Sequence, residues 1–232
     1  MNRFAVGRRI YQRKGVWTSF SMKRKKLDRE AKLAVVKERA QANDTFRVLC
    51  QRINDKIGIE RSDTRTYADR EFDLFTKLPR PVLDRSFRLL KWLDYHNCLP
   101  GSFIANDTLF TSVFIANLGS LGMAAGYHHL FEWGTCPLFV MAGRIEPRPV
   151  VENGELVVRD MMHLRFTYDE RIDDGLNARF GLDAVRTVLE NPRAYLGCVA
   201  EDGSDAWPMA RGEVTVLDAS ARPGAPEPVL DG

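Results

Sequence analysis

The stretch YDERIDDG, from Tyr168 to Gly175, joins two strongly patterned segments of this 232-residue chain. Before it, apolar and polar residues alternate from Met161 to Tyr168, which is typical of a strand with two different faces. After it, Leu176 to Leu189 carries apolar residues at helical spacing and ends before Asn191-Pro192. The turn itself concentrates ionised side chains, so it is either a solvated turn or a functional site.

The same alternation predicts further strands on the N-terminal side of this turn. The segment PVVENGELVV contains Asn153-Gly154, the dipeptide most typical of a tight hairpin turn. The short apolar runs SVFIANLGS (Ser112 to Ser120) and PLFVMAGRI (Pro137 to Ile145) are bounded by Gly or Pro and indicate two more strands. The segment VWTSFSMK, from Val16 to Lys23, alternates in the same way.

Helical signals occur in two earlier segments. Asn43-Asp44-Thr45 can cap a helix that we expect to stop at Gly58. Pro81 begins a second helix, whose wide apolar stripe we expect to pack against a sheet. Ala34 to Glu38 fits a strand, or a helix that begins at Asp28. The predicted fold class is therefore α/β, with a mixed β-sheet covered by helices.

Composition excludes several functional classes. The four cysteines show no Cys-x-x-Cys spacing, so we expect reduced thiols, no disulfide framework and no metal site. No run approaches the ~18 apolar residues of a membrane span, and the N-terminus lacks the apolar core of a signal peptide. These features predict a cytoplasmic protein with no membrane partner.

Charge is unevenly distributed along the chain, although its net value is only +3. Residues 1–65 carry 18 Lys and Arg against 7 Asp and Glu, whereas residues 201–232 carry 2 against 7. A basic front half can attract nucleic acid or the phosphates of a nucleotide-like cofactor, but a solvated face is the simpler interpretation. Without a zinc-finger spacing or an aromatic ribonucleoprotein motif, we do not expect nucleic acid as a partner. Residues 1–198 are expected to form one domain, and residues 199–232 a loose acidic tail.

Two separated motifs resemble the catalytic domain of the 2-oxo acid dehydrogenase acyltransferases, which has the chloramphenicol acetyltransferase fold. SVFIANLGSLG is similar to the T-I-S-N-L-G strand of that family, and DERIDDG is similar to its D-H-R-x-x-D-G loop. The resemblance covers roughly Ser112 to Leu196. It implies a homotrimer or higher assembly whose active sites are shared between subunits, with Tyr168 to Gly175 of one subunit facing Phe114 to Gly119 of the next. It also implies CoA or acyl-CoA as a substrate, and we expect no tightly bound cofactor.

The resemblance locates two chemical differences. In such enzymes the motif histidine takes the proton of a thiol, and a hydroxyl on the T-I-S-N-L-G strand stabilises the oxyanion. This chain has Glu170 in the histidine position, Ala116 in the serine position and Phe114 at the preceding threonine. A glutamate is a poor base for a thiol, because its pKa is about four units lower. Alanine supplies no hydrogen-bond donor, so we expect thiol-based transacylation to be altered or lost.

The remaining motif positions are retained. Asp169, Arg171, Asp174 and Gly175 match the loop pattern, and Asn117 and Gly119 match the facing strand. The resemblance implies that Asp169 and Arg171 brace the loop as an ion pair. Glu170 and Asp174 are the candidate acid–base residues, since neighbouring carboxylates and burial can raise the pKa of Glu170.

The loop GYHHLFEWGTCP, from Gly126 to Pro137, contains further candidates. His128 or His129 can replace the absent base, and Cys136 can form a nucleophilic pair with either histidine. The simpler interpretation is a loop packed by its aromatic residues. Adjacent histidines rarely bind one metal ion, so no metal site is predicted.

The front of the chain differs from the family. In the family a strand and a long helix precede an Asn-Arg-Phe segment that here stands at residues 2–4. The resemblance therefore implies that this first strand and helix are missing, supplied by another chain or rearranged, which favours association. The leading hypothesis is an acyltransferase-like protein that binds a thioester. The alternative is an inactive trimeric scaffold that partners a true acyltransferase or a dehydrogenase complex.

Overall fold

A computed structural model describes residues 2–24, 30, 33–41, 43–62 and 77–196 of the chain. The described elements are, in order, β1 (Arg3–Val6), β2 (Arg9–Gln12), β3 (Trp17–Lys23), β4 (Leu33–Arg39), α1 (Phe46–Arg61), α2 (Arg80–Tyr95), α3 (Gly101–Asn106), β5 (Val113–Asn117), a 3₁₀ turn (Gly119–Leu121), β6 (Leu138–Glu152), β7 (Glu155–Tyr168), α4 (Gly175–Glu190) and α5 (Pro192–Tyr195). The expected tail, residues 199–232, lies outside the described residues. None of the described helices is long and apolar enough to cross a lipid bilayer.

Five of these strands form one mixed sheet in the order β4-β3-β5-β6-β7, and β1 and β2 form a separate hairpin. Strands β3, β5 and β6 are parallel, while β4 and β7 pair antiparallel with their neighbours at the two edges. The predicted α/β fold class with a mixed sheet is confirmed. The segment from Ala34 to Glu38 belongs to β4, because Leu33 to Arg39 pairs with the whole of β3.

The strand register assigns the side chains to two faces of the sheet, because directly paired residues point the same way. One face, which we call the helix face, is packed against α1, and α4 lies on the same side, separated from β7 by an open cavity. The other, which we call the loop face, is covered by residues 118–136. The helix face carries Phe20, Val36, Ile115, Val140 and Phe166, and the loop face carries Ser19, Phe114, Phe139 and Thr167.

The buried apolar core lies on the loop face. It is formed by Phe114, Ala125, Cys136, Phe139 and Met141, and residues of the covering loop pack against it. The Phe114 and Phe139 rings stack with centroids 5.0 Å apart. Each large side chain buried in this way contributes about 1.5–3 kcal/mol to stability, so this cluster holds the covering loop on the sheet.

Helix α1 is fastened to β4 on the helix face. The Thr45 hydroxyl accepts a hydrogen bond from the Val48 backbone N–H at 3.2 Å, which confirms the predicted N-cap. The helix was predicted to end at Gly58, but it continues to Arg61. The Arg52 guanidinium binds the buried carboxylates of Glu38 and Asp44, at 2.9 and 2.6 Å.

Helix α2 forms at the predicted position but is not buried. No side chain of α2 is buried among the described residues, and Phe87, Leu89 and Trp92 are 46%, 57% and 57% exposed. The expectation that this helix packs against a sheet was therefore wrong. Its apolar stripe lies on the surface of the described part of the chain.

Strands β6 and β7 extend beyond the rest of the sheet as a two-stranded arm, residues 145–162. The turn at its tip is formed by Asn153 and Gly154, both with φ in the left-handed region, as predicted from this dipeptide. One face of the arm is largely apolar and uncovered, with Asp160 as its one charged residue. Its members Ile145, Val151, Leu156 and Val158 are 67–74% exposed. Isolated hydrophobic side chains on a surface are ordinary, but a contiguous apolar face indicates an interaction surface.

Candidate functional site

The motif loop after β7 is braced by Asp169 and Arg171. The Arg171 side chain donates two hydrogen bonds to the Asp169 carboxylate, at 2.8 and 2.7 Å, and the Arg171 backbone N–H donates a third at 3.0 Å. The Asp169 backbone N–H is bonded to the Pro137 carbonyl oxygen, and Ile172 is buried beneath the loop. These contacts fix the loop at the start of β6. Hydrogen bonding from Arg171 lowers the pKa of Asp169, against the opposing effect of partial burial.

Glu170 projects from this braced loop and is exposed. The Tyr168 hydroxyl is 3.5 Å from Glu170 Oε1, a long hydrogen bond in which the phenol is the donor. Desolvation and the nearby carboxylates of Glu170 and Asp174 raise the pKa of Tyr168. Tyr168 thus remains protonated at neutral pH. Its hydroxyl points towards the Glu170 carboxylate, which stands where the family has its histidine.

Asp174 begins helix α4. Its carboxylate accepts a hydrogen bond from the Asn177 backbone N–H at 2.9 Å, the geometry of an N-cap. At Gly175 an added Cβ would lie 3.5 Å from the Tyr168 hydroxyl, an ordinary contact. Asp174 therefore has a structural role, while its predicted part in acid–base chemistry stays a prediction.

The side chains that β5 presents on the loop face are packed into the apolar core. Phe114 is only 3% exposed, and Ala116 packs against the same apolar cluster. The Asn117 side chain accepts a hydrogen bond from the Ser120 backbone N–H at 3.0 Å and shapes the turn that follows. A Cβ at Gly119 would lie 2.4 Å from the Gly143 carbonyl oxygen, so this position has no room for a side chain.

His128 and His129 lie in the covering loop. The His128 ring stacks on Phe139, with centroids 4.0 Å apart and planes 9° apart. Nδ1 of His128 contacts the His129 carbonyl oxygen, and Nδ1 of His129 is 2.7 Å from the Leu130 carbonyl oxygen. In a neutral ring these partners assign the proton to Nδ1, which leaves Nε2 as the proton acceptor. Both histidines therefore have the tautomer that a base requires.

Within one chain the histidines and Glu170 lie on opposite faces of the sheet. The Thr167 hydroxyl donates to the His128 carbonyl oxygen, so His128 lies on the loop face. Tyr168 points to the other face, towards α4, and Glu170 follows it. A site that used both His128 and Glu170 would have to form between two chains.

The sequence comparison identifies the region that contains these elements. The sequence model of the 2-oxoacid dehydrogenases acyltransferase catalytic domain matches residues 101–197. This region of the chain is therefore similar to that catalytic domain. The match includes β5, the covering loop, the β6–β7 hairpin, the motif loop and α4, and it confirms the resemblance first seen in the two motifs.

Curated relatives match parts of the chain of different length. The dihydrolipoyllysine-residue succinyltransferase component of the 2-oxoglutarate dehydrogenase complex of Cupriavidus necator is 49% identical over 49 residues, which are 21% of this chain and 12% of the relative. The corresponding mitochondrial component of Saccharomyces cerevisiae is 33% identical over 101 residues, 44% of this chain and 21% of the relative. The chain therefore spans about an eighth to a fifth of the length of these relatives.

A solved structure shares the fold more widely. The crystal structure of a probable dihydrolipoamide acetyltransferase from Listeria monocytogenes superposes with a TM-score of 0.56 at 16% sequence identity. The superposition covers 89% of this chain and 66% of that one. Because 89% of the chain is more than residues 101–197, the shared fold extends beyond that region.

Cys136 has the wrong environment for the nucleophile that the sequence allowed. Its thiol is buried in the apolar core and donates to the Leu138 carbonyl oxygen at 3.3 Å. Burial raises the pKa of Cys136 to about 11, although the Leu138 contact and the nearby Arg13 charge oppose this. A nucleophilic cysteine needs a lowered pKa, so Cys136 is a core residue.

Across the described residues, no three His, Cys, Asp or Glu side chains are grouped so that they could hold a metal ion.

Two cations, Lys37 and Arg39, lie near the Trp17 ring at the β4 side of the sheet, and the sequence analysis did not predict this. Trp17, Lys37 and Arg39 fall on one face of the sheet when β3 and β4 pair antiparallel. The sequence alone did not establish that pairing, so the cluster was missed.

Proposed function

We propose that this chain is an acyltransferase-like protein that binds an acyl-CoA or a related thioester, and in which the transacylation chemistry of the family is altered or lost. One observation supports the proposal above the others. The motif loop keeps the Asp169–Arg171 brace, while the exposed residue that it presents is Glu170 and the facing position is Ala116. The framework of the family is present with different chemical groups on it.

The size of the chemical difference argues against ordinary thiol transfer. A carboxylate must take a proton from a thiol whose pKa is about four units higher, which costs roughly 5–6 kcal/mol. Loss of the oxyanion donor at Ala116 lowers the rate by a further factor of about 10²–10³. Any transfer that persists would need another base, and Nε2 of His128 or His129 has the required tautomer.

Self-association is part of the proposal. The apolar face of the arm is exposed along residues 145–158, and the motif loop and the loop histidines lie on opposite faces of one chain. A homotrimer in which one subunit's motif loop meets the next subunit's β5 would cover apolar surface and bring the two halves of the site together. By name, the curated relatives are components of dehydrogenase complexes, which suggests a similar complex as a further partner.

Calorimetric titration of acetyl-CoA and CoA into the purified chain tests binding, and formation of S-acetyl-dihydrolipoamide from acetyl-CoA and dihydrolipoamide, followed in parallel, tests transfer. Binding without this product would support a protein that holds thioesters but does not transfer the acyl group. Binding with this product would indicate catalysis by a different base, with Glu170, His128 and His129 as the residues to replace. If the folded chain binds neither ligand, the proposal of thioester binding is wrong.

Restoring single family residues gives a sharper prediction. We expect Glu170→His alone to leave transacylation undetectable, because Ala116 still provides no donor to the oxyanion. The double variant Glu170→His, Ala116→Ser should be more active than either single variant, as measured by formation of S-acetyl-dihydrolipoamide and free CoA from acetyl-CoA and dihydrolipoamide. Full activity of Glu170→His alone would contradict this account of the site.

A second candidate function is an inactive scaffold that joins a true acyltransferase in a mixed assembly. The observation that favours it is the uncovered apolar face of the arm, which is suited to association whether or not the site is active. Failure to bind acetyl-CoA, together with a stable oligomer, would favour the scaffold over the thioester-binding protein.

A further inference from the structure

The open cavity between β7 and α4, which we call the groove, has a volume of about 620 Å³. Its walls are largely apolar, and they are formed mainly by Met162, Leu164 and Phe166 of β7 and by Leu182, Val185 and Leu189 of α4. Val185 and Leu189 are 42% and 50% exposed. Apolar walls in contact with water are unfavourable, so a docked apolar surface would stabilise the groove.

The groove is continuous with the apolar face of the arm. Side chains alternate along a strand, so Leu156 and Val158 of the arm lie on the same face of β7 as Met162 in the groove. Residues 156–166 of β7 span roughly 34 Å at the rise of a strand. This surface is too long for one small molecule, but it accommodates a helix of 16 residues, which is about 24 Å long.

The rim of the groove is acidic. Asp160, Asp183 and Glu190 line it together with a single cation, Arg186. Glu190 is 2.6 Å from Arg186, and Asp183 is 3.6 Å from Arg179. Asp160 forms no ion pair among the described residues. An occupant of the groove should therefore be apolar at its centre and positively charged at its edges.

Helix α2 presents a surface with these properties. Val82, Leu89 and Trp92 are 47%, 57% and 57% exposed, and their spacing of seven and three residues places them in one stripe. Arg85 and Arg88 lie within one helical turn of this stripe. Neither arginine forms an ion pair within the described part of the chain. The helix thus combines an uncovered apolar stripe with adjacent positive charge.

One chain does not bring α2 to its own groove. No residue of α2 is among the described residues that line the groove. The segment that follows α2 is fastened to β4, because Lys37 Nζ donates a hydrogen bond to the Ile104 carbonyl oxygen at 2.7 Å. Strands β4 and β7 are the two edges of the sheet, about 19 Å apart. A contact between α2 and the groove therefore needs two chains.

We propose that α2 of one copy of this chain docks in the groove of a second copy, with its apolar stripe between β7 and α4 and its arginines beside the acidic rim. The inference rests on the self-association proposed above and names two surfaces for it. Residues 201–232 are a poorer occupant, because they carry 2 Lys and Arg against 7 Asp and Glu. Since the two surfaces differ, the contact is head-to-tail, and it closes into a ring or continues as a filament.

Sedimentation of the full chain over a range of concentrations tests both surfaces. We expect Leu89→Glu on α2 and Leu189→Lys on α4 each to weaken self-association at least about tenfold, because each places a charge in an apolar contact. Ile10→Glu is the matched control, since Ile10 is 55% exposed on β2. Its association should stay within about twofold of wild type. Circular dichroism shows that each variant is folded.

Mixing the two variants gives the sharper test. Leu89→Glu keeps an intact groove, and Leu189→Lys keeps an intact α2. A head-to-tail contact predicts that the equimolar mixture forms a 1:1 complex that neither variant forms alone. A mixture that stays monomeric overturns the inference, because the two substitutions would then damage some other contact.

The remaining outcomes separate this contact from the general proposal of self-association. A wild-type chain that is monomeric at every concentration overturns both. An oligomer that Leu89→Glu and Leu189→Lys leave intact overturns only the docking of α2 in the groove. Equal losses for Ile10→Glu and Leu89→Glu also overturn it, since the effect would then come from any added surface charge.

Discussion

At the scale of single residues, the Asp169 carboxylate organises the motif loop. It is held by Arg171 through both side-chain and backbone N–H groups, and these bonds favour the ionised carboxylate. Its pKa in the folded chain is therefore below the ordinary value, which is about 3.9. A depressed carboxylate pKa contributes stability that is present above the unfolded pKa and is lost as pH falls through the folded pKa.

Replacing this carboxylate makes that contribution measurable. We expect Asp169→Asn to lower the free energy of unfolding by about 1 kcal/mol at neutral pH, a modest value because the Arg171 side chain is 73% exposed. The difference from wild type should shrink as pH falls below the ordinary Asp pKa. Urea unfolding at several pH values measures it, with the exposed Asp160→Asn as control. A difference that does not change with pH would show that the ion pair contributes no stability.

For single residues, the sequence predicted a local ion pair but not the burial of a thiol. The family resemblance implied the Asp169–Arg171 pair, and the structure shows it. The state of Cys136 was left open, since its burial depends on how a loop many residues long folds back over β5 and β6. Long-range packing of this kind leaves no local signal.

At the scale of elements, the junction between α1 and β4 depends on one side chain. Arg52 makes three side-chain hydrogen bonds to Asp44 and Glu38, whose carboxylates are 4% and 7% exposed, and Lys56 binds the other Glu38 oxygen. Buried carboxylates are tolerated only while they are paired. The side chain thus fixes the position of the helix on the sheet.

Removal of that side chain should be costly. We expect Arg52→Met to destabilise the fold by about 2–3 kcal/mol, because two buried carboxylates lose their main partner and one is left only with Lys56. Arg186→Met is the matched control, since it removes an exposed pair with Glu190 within α4 and should cost less than about 0.5 kcal/mol. Thermal and urea unfolding measure both variants. Equal effects of the two substitutions would contradict the structural role of Arg52.

Most of the elements could be predicted from local sequence patterns. The β6–β7 hairpin follows from Asn153-Gly154, and the start of α1 follows from Thr45, because both signals act over a few residues. The exposure of α2 could not be predicted, since its apolar stripe has the pattern of a buried helix whatever covers it. The cations around Trp17 depend on the register of β3 with β4, which is set over a long separation in sequence.

At the scale of the whole molecule, the arm presents a surface that suits association. Its apolar face projects past the sheet, where no other described element covers it. On β6, Pro147 and Pro149 are two residues apart and cannot donate to a further strand, whereas β7 contains no proline. The face and the β7 edge are therefore the surfaces suited to a second copy.

Substitution on this face should change the assembly. We expect the wild-type chain to be a trimer in sedimentation analysis, and Leu156→Lys with Val158→Lys to shift it towards monomer, because two charges would have to be buried. Glu155→Lys changes the other face of the arm by a similar charge and should leave the mass unchanged. A double variant with the mass of wild type would exclude this face from the interface.

The close approach of Gly119 to Gly143 has a consequence for how such proteins diverge. Because the space beside Gly119 is filled by backbone, selection for a folded chain is enough to retain this glycine after selection for catalysis has relaxed. The same holds for Asp169 and Arg171, whose loss would loosen the loop. Position 170 is exposed and carries no such packing constraint, so it is free to drift first. A lineage can therefore keep most of the signature of an enzyme long after its chemistry has changed.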